Sequence, residues 1–188
     1  AGAKGEPARQ KDCLTQLTAA CPDDARAQNL MGAFHFGRQD YDEAIAAYEK
    51  ATTLDPSFSQ PYNQMGYAYR FLGKYDKAEQ AFKKYIELIP GDPNPFDSYA
   101  ELLMKMGRYE ESIKNYEKAL AIDKNFVASC IGIGNNYMFM GQGDKAREAF
   151  AKLTAIARND GEKRQALFWN AMSYVHEGAT DKAIKEIE

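Results

Sequence analysis

The stretch SQPYNQMGYAYRFLGKYDKAEQAFKKYIELIPGD, residues 59–92, decides how the rest of the chain is read. Its first half carries Tyr62, Met65, Gly66, Tyr69 and Leu72 three or four residues apart, which places them on one side of a helix. Gly73 then closes that helix, because glycine enters the left-handed conformation without steric cost. Asp76 opens a second helix, where its carboxylate is expected to accept orphan backbone N–H groups and to suit the positive helix end. That helix runs through Ala78, Phe82, Tyr85 and Leu88 to Pro90, just beyond its end. Gly66 and Ala78 are expected where the two helices approach closely, since a larger side chain there would force them apart.

The same pattern returns every 34 residues in both directions. Pro22, Pro56 and Pro90 hold that spacing, with Lys124 and Arg158 at the next two steps. Gly32, Gly66 and Gly134 form a second column in which Ala100 fills the gap. Ala44, Ala78, Ser112 and Ala146 form a third, and Tyr48, Phe82, Tyr116 and Phe150 a fourth. Tyr41, Tyr75 and Tyr109 form a fifth, broken at Gly143. Gly107, Gly141 and Gly178 match Gly73, and Asp42, Glu110, Asp144 and Asp181 match Asp76. Each helix is too short to be stable alone in water, so stacking of neighbours must supply the stability.

The period predicts an all-α solenoid of antiparallel helix pairs. Residues 1–24 read as an N-terminal tail and half-repeat helix. Repeats follow at 25–58, 59–92, 93–126 and 127–160. Residues 161–188 read as a partial repeat, truncated in its second helix and offset by a three-residue insertion around Gly161–Lys163. A solenoid end ordinarily carries a polar cap. The expectation is therefore that the array continues, that another domain follows, or that copies join as a homo-oligomer through the uncapped C-terminal repeat.

These columns resemble the tetratricopeptide repeat (TPR) family, whose motif sets a bulky residue, Leu-Gly, Tyr, Gly-x-Tyr, Ala, an aromatic, Ala and Pro over 34 residues. Residues 59–92 match it with Tyr62, Met65-Gly66, Tyr69, Gly73, Tyr75, Ala78, Phe82 and Pro90. The resemblance implies a right-handed superhelical solenoid whose first helices line a concave groove. Carried over residue by residue, it assigns partner binding to Asn63, Tyr67, Arg70, Asp97, Glu101, Lys105, Asn135, Met138 and Phe139. Arg26, Asn29, Ala33, Phe36, Gln64, Ser98 and Ile131 stand at equivalent places, as do Phe168, Trp169 and Met172 in the last repeat. The middle of this wall is polar, with amides suited to an extended peptide backbone, and its C-terminal part is apolar and aromatic, as a helix-accepting groove would be.

The implied function is a protein–protein interaction scaffold that binds a peptide or helical segment. The alternatives are the recruiting or regulatory array of a larger enzyme and a self-assembling structural module. Plainer readings stand beside the site residues. Asn63 and Asn135 also read as solvated wall residues, Phe168, Trp169 and Met172 as packing for a continuing array, and the charged residues as surface ion pairs of low energy. Family members that grip chaperone C-termini resemble one another in a Lys, Asn, Asn, Lys, Arg set. The matching places here are Asn29, Ala33, Gln64, Asn94 and Ser98 or, one repeat on, Asn63, Tyr67, Ser98, Ala128 and Gly132. With no lysine or arginine in either set, a free carboxylate finds no charged donor there.

Composition narrows the remaining classes. A formal net charge of -3 gives no basic stripe for nucleic acid. No stretch approaches the roughly 20 apolar residues that cross a bilayer, so membrane insertion is not expected. A soluble protein results, and both cytoplasmic residence and export after removal of an upstream signal fit it. Cys13 and Cys21 would lie roughly 12 Å apart along one helix, too far for a disulfide.

Catalysis finds little footing, and the sequence predicts a protein that is not an enzyme and holds no cofactor or metal. His35 and His176 are far apart, and His35 shares a column with Tyr69 and Tyr137, which marks it as a packed residue. Cys130 stands in a bulky-residue column and reads as a small buried hydrophobe. Gly132-Ile133-Gly134 falls inside a helix with no strand before it, so it is not a phosphate loop. No Cys/His cluster has metal-ligand spacing.

Overall fold

A computed structural model describes residues 6–187. Residues 1–5 of the expected N-terminal tail, and Glu188 at the far end, lie outside the described residues. Every regular element among those described is an α-helix. A leading helix, α1 (Glu6–Ala20), precedes five helix pairs. These are α2 (Ala25–Gly37) with α3 (Tyr41–Leu54), α4 (Ser59–Phe71) with α5 (Tyr75–Leu88), and α6 (Pro93–Lys105) with α7 (Tyr109–Ile122). They continue with α8 (Val127–Phe139) and α9 (Gly143–Ile156), then α10 (Asp160–His176) and α11 (Thr180–Ile187).

The turns inside the pairs follow the glycine pattern. Gly73, Gly107, Gly141 and Gly178 all adopt left-handed backbone, with φ between 71° and 75°. At the first of them, Gly73 N–H donates to the Arg70 carbonyl and Lys74 N–H to the Tyr69 carbonyl, which closes α4. The α2–α3 turn is the exception, because Gln39 holds the same place at φ 66°. A residue with a Cβ is disfavoured there by roughly 1–2 kcal/mol.

The capping expectation needs a correction. The carboxylates of Asp42, Asp76, Glu110 and Asp144 do stand in the first turns of the second helices. The N-cap residues before them, however, are Asp40, Lys74, Arg108 and Gln142, and these make no side-chain cap hydrogen bond. Asp42 instead pairs with Lys74 at 3.0 Å, and Asp144 with Arg147. Side-chain caps belong to first helices. Asp24 accepts from Arg26 N–H, Asp92 from Asn94 N–H, and Asn159 from Glu162 N–H.

Within the pairs, rings close over small residues. A Cβ on Gly66 would stand 2.6 Å from the Phe82 ring, and Gly32 meets Tyr48 and Gly134 meets Phe150 in the same way. Tyr48, Phe82 and Phe150 are almost wholly buried, each worth about 1.5–3 kcal/mol of apolar burial. In the repeat that has Ala100, Tyr116 lies over Gly132 of the next repeat. Ser112 in that repeat donates from Oγ to the Ala100 carbonyl at 2.7 Å. Asn136 Nδ2 donates in turn to Ser112 Oγ and to the Gly132 carbonyl. A polar chain thus accompanies the departure from glycine at Ala100.

The helices group into two compact units, Ala1–Ile89 and Pro90–Glu188. In the first, each helix packs on the next from α1 to α5, and α2 also touches α4. In the second, each packs on the next from α6 to α11, α6 touches α8, and α8 touches α10. Among the described residues no contact joins α3 with α5, or α7 with α9. First helices therefore hold the inner side of each unit and second helices the outer side. Packing only between near neighbours is the hallmark of a solenoid.

The final pair absorbs the three-residue insertion as helix. α10 has 17 residues where α8 has 13, and its extra turn lies at its start. Counting back from Gly178, Tyr174 falls in the Tyr69 column and buried Ala171 in the Gly66 column.

Candidate functional site

The inner side of the first unit is built by α2 and α4. Asn29 and Asn63 occupy equivalent places on them. Asn29 is buried and Asn63 half-buried, and the Oδ1 of each is enclosed without a hydrogen bond. Tyr67 and Arg70 lie one and two turns further along α4. The Arg70 guanidinium carbon sits 4.9 Å from the Tyr67 ring centre and 5.2 Å from that of Phe71, an attraction between a cation and the electron-rich ring faces. Phe71, 53% exposed, also stacks on Tyr41 at 5.1 Å.

The inner side of the second unit is built by α6, α8 and α10. Asp97 accepts a hydrogen bond from Ser129 Oγ at 2.7 Å. Burial pushes the Asp97 carboxyl up, and Glu101 one turn along adds to this, so that it titrates at about 6 despite the opposing Ser129 hydrogen bond. Glu101 is half-buried and Lys105 exposed at the end of α6. On α8, Asn135 is half-buried with an enclosed Oδ1 that accepts no hydrogen bond. Phe139 is 53% exposed, stacked on Tyr109 and met edge-on by His176.

Met138 behaves differently from its neighbours. It is buried against Ala146 and Phe150 in the helix-pair core and offers almost no surface. On α10, Phe168 is exposed, Met172 half-buried, and Trp169 stacks on Phe150. The nine residues thus divide into Asn63, Tyr67 and Arg70 in one unit and the other six in the second. Sequence reasoning passed over Ser129 and Phe71. The signal for Phe71 was its place beside Arg70 at a helix end; Ser129 carried none, since its role exists only through Asp97.

His35 is half-buried, with Nδ1 3.6 Å from Asp40 Oδ2 and its ring edge-on to Phe34. Cys130 is buried, and burial pushes its thiol up. All three cysteines are free. Among the described residues no three His, Cys, Asp or Glu gather as a metal site, and no helix is long and apolar enough to cross a membrane.

Family models carry the assignment. One tetratricopeptide repeat model matches residues 23–90 and a second matches residues 103–168. The chain belongs to the tetratricopeptide repeat family. Solved TPR structures share its fold. A MamA crystal structure is 23% identical, with a TM-score of 0.68 over 86% of this chain and 87% of its own. MamA from Desulfovibrio magneticus RS-1 is 20% identical, with a TM-score of 0.69 over 86% of this chain and 90% of its own. YrrB, described as a TPR protein with an unusual peptide-binding site, is 20% identical, with a TM-score of 0.65 over 92% of this chain and 88% of its own. No curated protein matches the sequence. At these identities the likeness extends to the fold, an all-α TPR solenoid, and no further.

Proposed function

We propose that this TPR chain is a protein-interaction scaffold that takes a peptide or helical segment along the inner sides of its first helices. The observation that carries the reading is the set of unmet acceptors on those helices. Asn29, Asn63 and Asn135 each enclose an Oδ1 without a hydrogen bond. An unmet buried acceptor costs roughly 1–3 kcal/mol, which favours turning each amide so that its oxygen meets a ligand N–H. The rings Phe71 and Phe139 supply exposed apolar surface at the helix ends, and Asp97 with Glu101 offers negative charge to a basic residue. YrrB, with its peptide-binding site on the same fold, supports the reading by analogy.

A partner captured with the chain as bait tests it. The double variant Arg70→Glu, Lys105→Glu is expected to weaken that partner by about tenfold or more, the level of a lost charge contact, while far-UV dichroism stays intact. Asn63→Ala is expected to weaken binding yet leave the free protein as stable or more so. Binding unaltered in both variants would move the site off the inner side.

A further inference from the structure

On the outer side of each unit, two second helices flank a groove floored by the first helix between them. In the first unit α3 and α5 flank it over α4, and Glu49, Tyr62, Met65, Tyr69, Lys77 and Lys84 line it. In the second unit α7 and α9 flank it over α8. Two 34-residue steps turn each first-unit residue into its counterpart: Glu117, Cys130, Ile133, Tyr137, Lys145 and Lys152. Four of these six places keep their residue. The change that matters for space is Tyr62 to Cys130, in a column that otherwise reads Gln28, Tyr62 and Phe96. The groove measures about 280 Å³ in the first unit and about 420 Å³ in the second.

The charges around the larger groove are also unmatched. In the first unit Glu49 accepts from the Tyr69 hydroxyl at 2.9 Å, and Lys84, beside Tyr62, pairs with Glu87 at 2.7 Å. In the second unit Glu117 and Lys152 make no hydrogen bond or ion pair with any described residue. Lysines on this side lie over rings: Lys77 over Tyr69, Lys118 over Phe96 and Lys145 over Tyr137, each within 6 Å of the ring centre. Lys152 stands beside the Cys130 thiol and has no ring.

We infer that the α7–α9 groove receives one aromatic side chain, tyrosine or phenylalanine, from a partner protein, its ring taking over Cys130 the place that Tyr62 fills in the first unit and lying beneath Lys152. The vacated aromatic position sets the size and shape of the guest. The unpaired ammonium of Lys152 favours a ring over an aliphatic chain, and the buried thiol of Cys130 offers a soft, uncharged floor. Glu117 stands ready to accept from a phenol hydroxyl or a backbone N–H. This surface lies apart from the inner side, so inner-side variants leave it unaltered and the two readings fail separately.

Methyl-resolved NMR of the full chain tests the inference, with p-cresol and the tripeptide acetyl-Ala-Tyr-Ala-amide as probes. Both are expected to shift the Leu120 and Ile133 methyls saturably and to leave the Met65 methyl in place. Lys152→Ala should weaken both by roughly threefold, the size of an exposed cation–ring contact, and 4-methylcyclohexanol should bind more weakly than p-cresol by a similar factor. Cys130→Tyr, which restores the first unit's filling, should abolish the shifts. If that variant does not fold, Ala149→Leu, which fills the groove from α9, serves in its place. Equal binding of 4-methylcyclohexanol, equal shifts at Met65, or shifts that survive the filled groove would overturn it. So would p-cresol binding without the tripeptide, which would mark a small-molecule pocket instead.

Discussion

In the first unit Tyr48 and Phe82 each close over a glycine of their own repeat, Gly32 and Gly66. In the second unit Phe150 closes over Gly134 in the same way, while Tyr116 closes over Gly132 of the next repeat and Ala100 stands at the glycine place of its own. The same unit replaces an aromatic by Cys130 and adds a turn to α10. Each departure leaves a mark of its own: a polar chain from Ser112 to Asn136, a wider groove, a longer helix. Repeated positions hold the helix pairs together, and broken ones are where surface chemistry can differ from repeat to repeat.

The largest effect expected from this contrast is at Gly66. Gly66→Leu drives a side chain into the Phe82 ring and should cost roughly 1–3 kcal/mol or more by over-packing, read as a lower urea midpoint. Ala100→Gly in the second unit should cost about 1 kcal/mol, the helix-propensity difference, because the packing there already accommodates a buried Cβ. Equal losses would erase the distinction between the two ring arrangements.

Asp97 sharpens it next. Its folded-state titration near 6 lies above the ordinary 3.8, so the folded chain holds this proton more tightly than the unfolded one. The benefit is present at low pH and is lost as pH rises from about 4 through about 6; above that the buried charge is a constant penalty. Asp97→Asn should therefore raise stability at pH 7 by up to about 3 kcal/mol, and by little near pH 3.5, in paired thermal melts. No counterpart exists at Asn63 in the first unit, where Asn63→Asp should lower stability at neutral pH.

The smallest effect is at the α2–α3 turn. Gln39→Gly should stabilise by about 1 kcal/mol, since the left-handed backbone there then carries no Cβ. Gly73→Gln in the next repeat should lose a similar amount.

The helix pairs were legible because glycine turns, prolines and ring columns act locally and recur in step. The pairing of Asp42 and Asp144 was not, since a carboxylate in a first turn reads alike whether it caps or pairs with a basic side chain. Of the site residues, Asn63, Tyr67 and Arg70 fall together on α4, but Met138 turns into the core. A helix places residues three and four apart on one side only approximately, and Phe150 decides which of Met138 and Phe139 it covers. The outer groove was visible only as Cys130 in a column of larger residues, a hint of space that needed the packing of α7, α8 and α9 to become a cavity.

The extra turn of α10 has a consequence for how such arrays lengthen. Three more residues rotate everything upstream of them by about 300° around the helix axis, so the start of α10 is out of phase with the starts of α2, α4, α6 and α8. Its end is not, because Gly178 turns the chain where Tyr174 lies between Arg147 of α9 and Lys182 of α11 and Ala171 is buried. Phase is kept by the hairpin between partner helices, and a helix's leading edge is free to grow. Added residues are tolerated upstream of each pair's bend, where they alter which side chains lead the helix without disturbing those that hold it.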